Sequence, residues 1–179
     1  MILLFHKPKS VVVTRSDERG RKTVYDLLPS WVRDDGWVPV GRLDRDSRGL
    51  LLFVQNSSLV EKLAAPGHFQ KIYEVWVRGH VQPHHLSSLQ NGILAGEELL
   101  KCVDLKVVGY VGPKSRLLMT LEEGKNRQIR RMFGSLRDDQ QGTPLKVIDL
   151  KRVQFGPISL DVPSGKWRML TPEELAALK

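Results

Sequence analysis

A single cysteine, Cys102, stands among 179 residues, so the chain can form no internal disulfide. The five histidines and that one thiol nowhere take the paired spacings of a structural zinc site, which excludes a zinc finger as well as a disulfide scaffold. Long apolar runs are also missing: the longest, Leu50 to Val54, falls far short of the roughly 20 residues that span a bilayer. Ile2 to Phe5 is too short for the apolar region of a signal peptide, and its cations, Lys7 and Lys9, follow it instead of preceding it. No repeat and no low-complexity tract is present. A soluble cytoplasmic protein with no membrane partner is therefore expected; the sequence is silent on oligomeric state, and a monomer is the expectation. The scarcer charge is acid. Twenty Asp and Glu against 28 Lys and Arg leave a net charge of +8, which favours a polyanionic partner such as nucleic acid. With 41% hydrophobic residues the chain can bury a continuous core.

What is there reads as α+β, with short strand-length runs alternating with a few helical patterns. Strands are expected at Ile2 to Phe5, Val11 to Val13, Gly49 to Val54, Lys71 to Arg78, Val103 to Val108, Arg116 to Leu121, Val147 to Phe155, Ile158 to Val162 and Trp167 to Leu170. In Lys71 to Arg78 the alternation puts Tyr73, Val75 and Val77 on one face. Helices are expected over Ser57 to Ala65, over Pro83 to Leu94, and over Asn126 to Leu136, where Ile129, Met132, Phe133 and Leu136 form one apolar stripe. Thr171-Pro172-Glu173-Glu174 carries the N-cap, proline and capping-box signals of a last short helix ending in Leu178. No linker rich in Gly, Ser or Pro splits the chain, so residues 1–179 form one domain, with two lobes left open.

The chemistry concentrates in three segments. Gly41-Arg42-Leu43-Asp44-Arg45-Asp46-Ser47-Arg48-Gly49 puts two carboxylates among three arginines at the mouth of an apolar strand, either a solvated charged turn or a carboxylate held ionised for catalysis. Lys71-Ile72-Tyr73-Glu74-Val75 opens the alternating strand, and Glu123 to Met132, EGKNRQIRRM, is dense in cations. His84 and His85 are neighbours, whereas a helix chelates with i and i+4, so they are expected on the surface. Cys102 reads as a small core residue.

Taken together and in this order, the three segments resemble the signatures of the RsuA-type RNA pseudouridine synthases: GRLD followed by GLLL and an apolar residue, then Lys-x-Tyr, then EGKNRQ with an apolar residue and RRM. Lys7-Pro8, Gly20 to Val24 before Leu27-Leu28-Pro29, and Gly165 to Arg168 also fit, so the likeness runs from about Lys7 to the end. Two stretches depart from the pattern: Val54-Gln55-Asn56-Ser57 replaces the commoner Thr-Asn-Asp-Gly, and Phe133 to Leu145 lacks a Gly-His pair. The small RNA-binding S4 domain of many members is not expected before Met1, and a catalytic domain without it is most similar to the RluE-type enzymes of the large ribosomal subunit.

The resemblance implies a pseudouridine synthase fold, a mixed and mainly antiparallel sheet with flanking helices and a central catalytic cleft. It also implies an isomerase with no cofactor and no metal, acting on ribosomal RNA or a ribosomal precursor. Asp44 would be the catalytic aspartate, with three routes open to it: attack on the sugar, addition to the base, or removal of a sugar proton. Tyr73 would stack on the target base and handle the proton at C5, and Arg130 would pair with the catalytic carboxylate. Arg42 would fill the gap left by the extruded uridine, Ile129 would wall the base pocket, and Lys125, Arg127 and Arg131 would meet phosphates. Asp46 is expected to be an exposed loop acid. Two rivals remain: a non-catalytic RNA-binding or ribosome-assembly module, and a metal-dependent nuclease built on Asp44, Asp46 and Glu74.

Overall fold

The apolar runs and capping signals become, in a computed structural model that describes residues 1–125 and 127–179, an α+β chain with a mixed, mainly antiparallel sheet. Its elements are β1 (Ile2–Lys7), a 3-10 turn (Val24–Leu27), α1 (Ser30–Asp34), β2 (Val38–Pro39), β3 (Arg48–Val54), α2 (Ser57–Ala64), β4 (Lys71–Arg78), α3 (Pro83–Asn91), β5 (Ile93–Ala95) and β6 (Glu98–Leu100). β7 (Asp104–Val111), β8 (Lys114–Leu121), α4 (Gln128–Gly134), β9 (Lys146–Phe155), β10 (Ile158–Ser159), β11 (Trp167–Met169) and α5 (Pro172–Ala177) complete them. The chain forms two compact units, one of residues 1–69 with 151–179, the other of residues 70–150.

In the first unit β1 lies between β11 and β3, antiparallel to both, with Leu4 opposite Leu52 on one side and Arg168 on the other. Both faces of β1 are covered, which is why its Ile2 to Phe5 reads as an unbroken apolar run instead of an alternating one. Leu4, Leu50, Leu52, Leu63, Phe155 and Leu178 make one core, and full burial of each such leucine contributes about 1.5–3 kcal/mol. On the opposite face Phe53 meets Phe5 and Tyr25 edge to face, at 6.3 and 5.8 Å between ring centres. The expected capping box closes α5: Glu174 Oε1 accepts from the Thr171 N–H at 2.9 Å and Thr171 Oγ1 accepts from the Glu174 N–H at 3.2 Å. Arg168 of β11 then grips both Glu174 and Asp161, and its hydrogen bonds hold the Glu174 carboxyl down at about 2.

In the second unit the strand order is β9, β4, β8, β7, with β9 contributing its residues up to Leu150. β4 and β8 pair along their whole length, Tyr73 opposite Met119, and the alternation of β4 is as expected, with Tyr73, Val75 and Val77 buried.

Several expectations are corrected. Val11 to Val13 makes no strand; Val12 forms an isolated bridge to Thr23. The helix expected to reach Leu94 stops at Asn91, because Gly92 takes a φ of +110° and the chain turns into the β5–β6 hairpin. That hairpin turns on Gly96, at a φ of +68°. The helix expected from Asn126 starts at Gln128 and ends at Gly134; Asn126 itself lies outside the described residues. His85 is not on the surface but buried, its Nδ1 accepting from the Gln82 N–H and its Nε2 bonded to the Arg137 carbonyl. Cys102 is buried as expected, and burial pushes its thiol up to about 11, a value that suits packing and not nucleophilic attack.

Candidate active site

The Asp44 loop enters β3 over a buried lysine. Lys7 sits at the end of β1, fully covered, and its Nζ donates to the carbonyls of Ser47 at 2.7 Å and Pro8 at 3.0 Å, with that of Arg45 at 3.5 Å. The loop's own backbone adds Ser47 N–H to Asp44 O at 3.0 Å, and the Ser10 N–H reaches Arg45 O at 2.8 Å. Burial pushes the Lys7 ammonium down to about 8, against the opposing pull of Asp46 and Asp44. A charge so placed must satisfy its protons on fixed acceptors, and those acceptors are the loop carbonyls. Asp44 is half-buried in this loop; Arg42, Arg45 and Asp46 are exposed, so Asp46 is an exposed loop acid as expected.

Gly49 ends the loop and explains the glycine of the first motif. Its φ is +119°, and a Cβ there would lie 2.3 Å from the carbonyl oxygen of Arg152, across the parallel bridge between β3 and β9. Only glycine permits that approach. Arg152 is itself buried, its Nε donating to Leu50 O at 2.8 Å.

In the second unit Tyr73 is 8% exposed on β4, and Lys71, two residues before it on the same face, is buried as well. Glu74 on the opposite face pairs with Arg116 at 2.9 Å. Gln128, 3% exposed, organises the turn before α4: its Oε1 accepts from the Lys125 N–H, and its Nε2 donates to Lys101 O at 3.2 Å and to Glu123 Oε1 at 3.4 Å. Ile129, Met132 and Phe133 are buried, while Leu136 is half-buried beyond the helix end. Arg130 is half-buried with its Nη1 on Val147 O at 3.4 Å. Arg127 is exposed in the left-handed region, at a φ of +47°. Arg131 and Lys125 converge on one carboxylate, Glu98 of β6, at 2.8 and 3.5 Å.

The structure thus gathers the expected residues in two sets, Arg42 and Asp44 in the first unit, Tyr73, Lys125, Arg127, Ile129, Arg130 and Arg131 in the second. Lys7, Gln128 and Glu98 were missed as members. Lys7, in Lys7-Pro8, and Gln128, in the EGKNRQ motif, left a mark in the sequence as parts of the family likeness, whereas Glu98 left none. Among the described residues His84, His85 and Asp139 form a group with ligand atoms within 4.8 Å of one another. Spacing could not reveal it, since Asp139 arrives from a distant segment. Both nitrogens of His85 are already engaged by the backbone, which leaves the group poorly suited to a metal.

Among the described residues no helix is long and apolar enough to cross a membrane. The family model for RNA pseudouridylate synthase matches residues 1–135. A ribosomal large subunit pseudouridine synthase B of Vibrio vulnificus (strain CMCP6) is 35% identical over 99% of this chain and 54% of its own length. The synthase B of Pseudomonas aeruginosa is likewise 35% identical, over 99% of this chain and 45% of its own length. The chain therefore spans about half the length of the curated relatives it matches. A crystal structure of a pseudouridylate synthase superimposes with a TM-score of 0.85 at 26% identity, covering 99% of this chain and 73% of that one.

Proposed function

The chain belongs to the RNA pseudouridylate synthase family, and we propose that it isomerises a specific uridine of large-subunit ribosomal RNA to pseudouridine. The observation that carries this reading is the match over residues 1–135, which contains Asp44, Tyr73 and Arg130 together. The reaction breaks the bond from C1' to N1, turns the base and joins C5 to C1'. The proton leaves C5 and one is gained at N1, so nothing enters or leaves overall. Asp44 is the catalytic aspartate of this proposal, presented by a loop whose backbone the buried Lys7 holds in place. Tyr73 supplies the ring that stacks on the base and the hydroxyl that handles its proton, and Arg130 serves the chemical step. Ile129 lines the pocket for the base, and Arg42 takes the place of the extruded uridine. Lys125, Arg127 and Arg131 hold phosphates. Acting in the cytoplasm as a monomer, on free ribosomal RNA or a ribosomal precursor, is part of the same reading.

The test is pseudouridine mapping on large-subunit ribosomal RNA treated with wild type, Asp44→Asn and Tyr73→Phe. Asp44→Asn keeps the size of the side chain and removes its charge, so product should vanish while RNA affinity stays within a few-fold. Tyr73→Phe should also lose turnover. Measurable product from Asp44→Asn would overturn the catalytic assignment, and RNA cleavage in place of isomerisation would favour a nuclease.

A further inference from the structure

Glu98 lies against two cations of the basic segment. It is an acid in a strongly basic chain, carried by the short β5–β6 hairpin, which packs against α4. Its position follows from the register: Ala95 opposite Glu98 and Ile93 opposite Leu100 share one face, and on that face Ala95 and Leu100 are buried. Glu98 is therefore turned to the same side as the hairpin's packed residues, while the cross-strand pair Leu94 and Leu99 points out to solvent. One carboxylate oxygen meets Arg131 Nη1 at 2.8 Å and the other meets Lys125 Nζ at 3.5 Å. The Arg131 hydrogen bond holds this acid below the ordinary glutamate range. Two cations, one before α4 and one within it, thus close on the Glu98 carboxylate, with Glu123 Oε1 also 3.8 Å from Lys125 Nζ.

We propose that the Lys125–Arg131 pair is a preformed site for one RNA phosphate, and that Glu98 is a resident competitor which that phosphate displaces. This rests on the reading that these cations bind RNA. The contacts are exposed, and ion pairs of this kind hold weakly and are screened by salt. A polyanion therefore displaces the carboxylate at little cost, whereas a ligand with a single charge gains nothing over it. Glu98 lowers the affinity of the basic segment for stray anions and leaves it available to a chain that brings several phosphates at once.

The full-length protein is titrated with labelled, deproteinised large-subunit ribosomal RNA at several salt concentrations, as wild type, Glu98→Gln, the Lys125→Ala/Arg131→Ala pair, and the triple variant. Glu98→Gln should bind RNA about threefold to tenfold more tightly at low salt, with a steeper salt dependence. In the background lacking both cations the same change should gain nothing. If Glu98→Gln binds no better than wild type, or worse, the carboxylate is holding the cations in place and the proposal is overturned. A gain that persists without Lys125 and Arg131 means general charge repulsion and overturns it equally. If the double Ala variant binds as well as wild type, the RNA-binding role of these cations fails first, and the proposal with it.

Discussion

The Asp44 loop and the Glu123–Arg131 segment are both built around charge, and they are held in opposite ways. In the first, a buried ammonium with fixed backbone carbonyls beneath the loop sets the geometry, where solvent and salt cannot reach. In the second, the cations sit at the surface and share the carboxylates of exposed Glu98 and half-buried Glu123. Buried polar contacts are costly to break and hold one arrangement, whereas exposed pairs exchange partners freely. On the proposed function, the loop that carries the reacting group needs the first property, and the surface that accepts and releases a polyanion needs the second.

The sharpest way to break the first region is Gly49→Val. With Arg152 backbone 2.3 Å from any Cβ and the φ at +119°, about 3–5 kcal/mol of stability should be lost. Chemical denaturation measures it, and a loss below 1 kcal/mol would show that the bridge yields. Next in size, Arg130→Ala should lower kcat by about 100-fold, roughly 2.7 kcal/mol of barrier, while the salt dependence of RNA binding hardly moves. If it behaves instead like Arg131→Ala, Arg130 belongs to the phosphate face.

Lys7→Met comes third, at about 1–3 kcal/mol, because the Ser47 and Pro8 carbonyls lose their buried donor. The pH dependence identifies the group. Folding lowers Lys7 from 10.5 to about 8, so between those values the unfolded chain retains a proton that the folded chain has released. Wild type should therefore gain stability relative to Lys7→Met as pH rises from 8 to 10. A difference that does not change with pH would mean that the ammonium is not buried in solution. The smallest effect is expected from Arg127→Ala, a modest loss of affinity with the salt slope lowered by about 0.7–0.9. An unchanged slope would remove Arg127 from the RNA surface.

How far the sequence revealed these two regions depends on where each residue finds its partner. The alternation of β4 and the capping box of α5 depend on neighbours two or three residues away, so both were legible. Helix α4 was legible as a face and not as a length, since its stripe continued through Leu136 while the described helix ends at Gly134. The β5–β6 hairpin was lost because the helical pattern of Pro83 to Leu89 masked the turn that Gly92 imposes. The roles of Lys7, His85 and Glu98 were not legible because their partners lie far along the chain, at Ser47, Arg137 and Arg131. The aspartate loop was visible as composition, but its meaning came only from the order of three motifs.

The division of the chain also sets a timetable for its synthesis. Residues 70–150 form a continuous unit that can close as soon as they leave the ribosome, whereas the other unit needs both ends of the chain. β1 precedes its partners in the chain, and the edge it turns away from β3 is covered by Trp167 to Met169. Until those residues emerge, a strand that opens with four apolar residues, Ile2 to Phe5, waits with an open row of hydrogen-bonding groups, the kind of edge that pairs with other nascent chains. Expression yield and chaperone demand should thus depend on Trp167 to Met169 far more than their modest share of the core suggests.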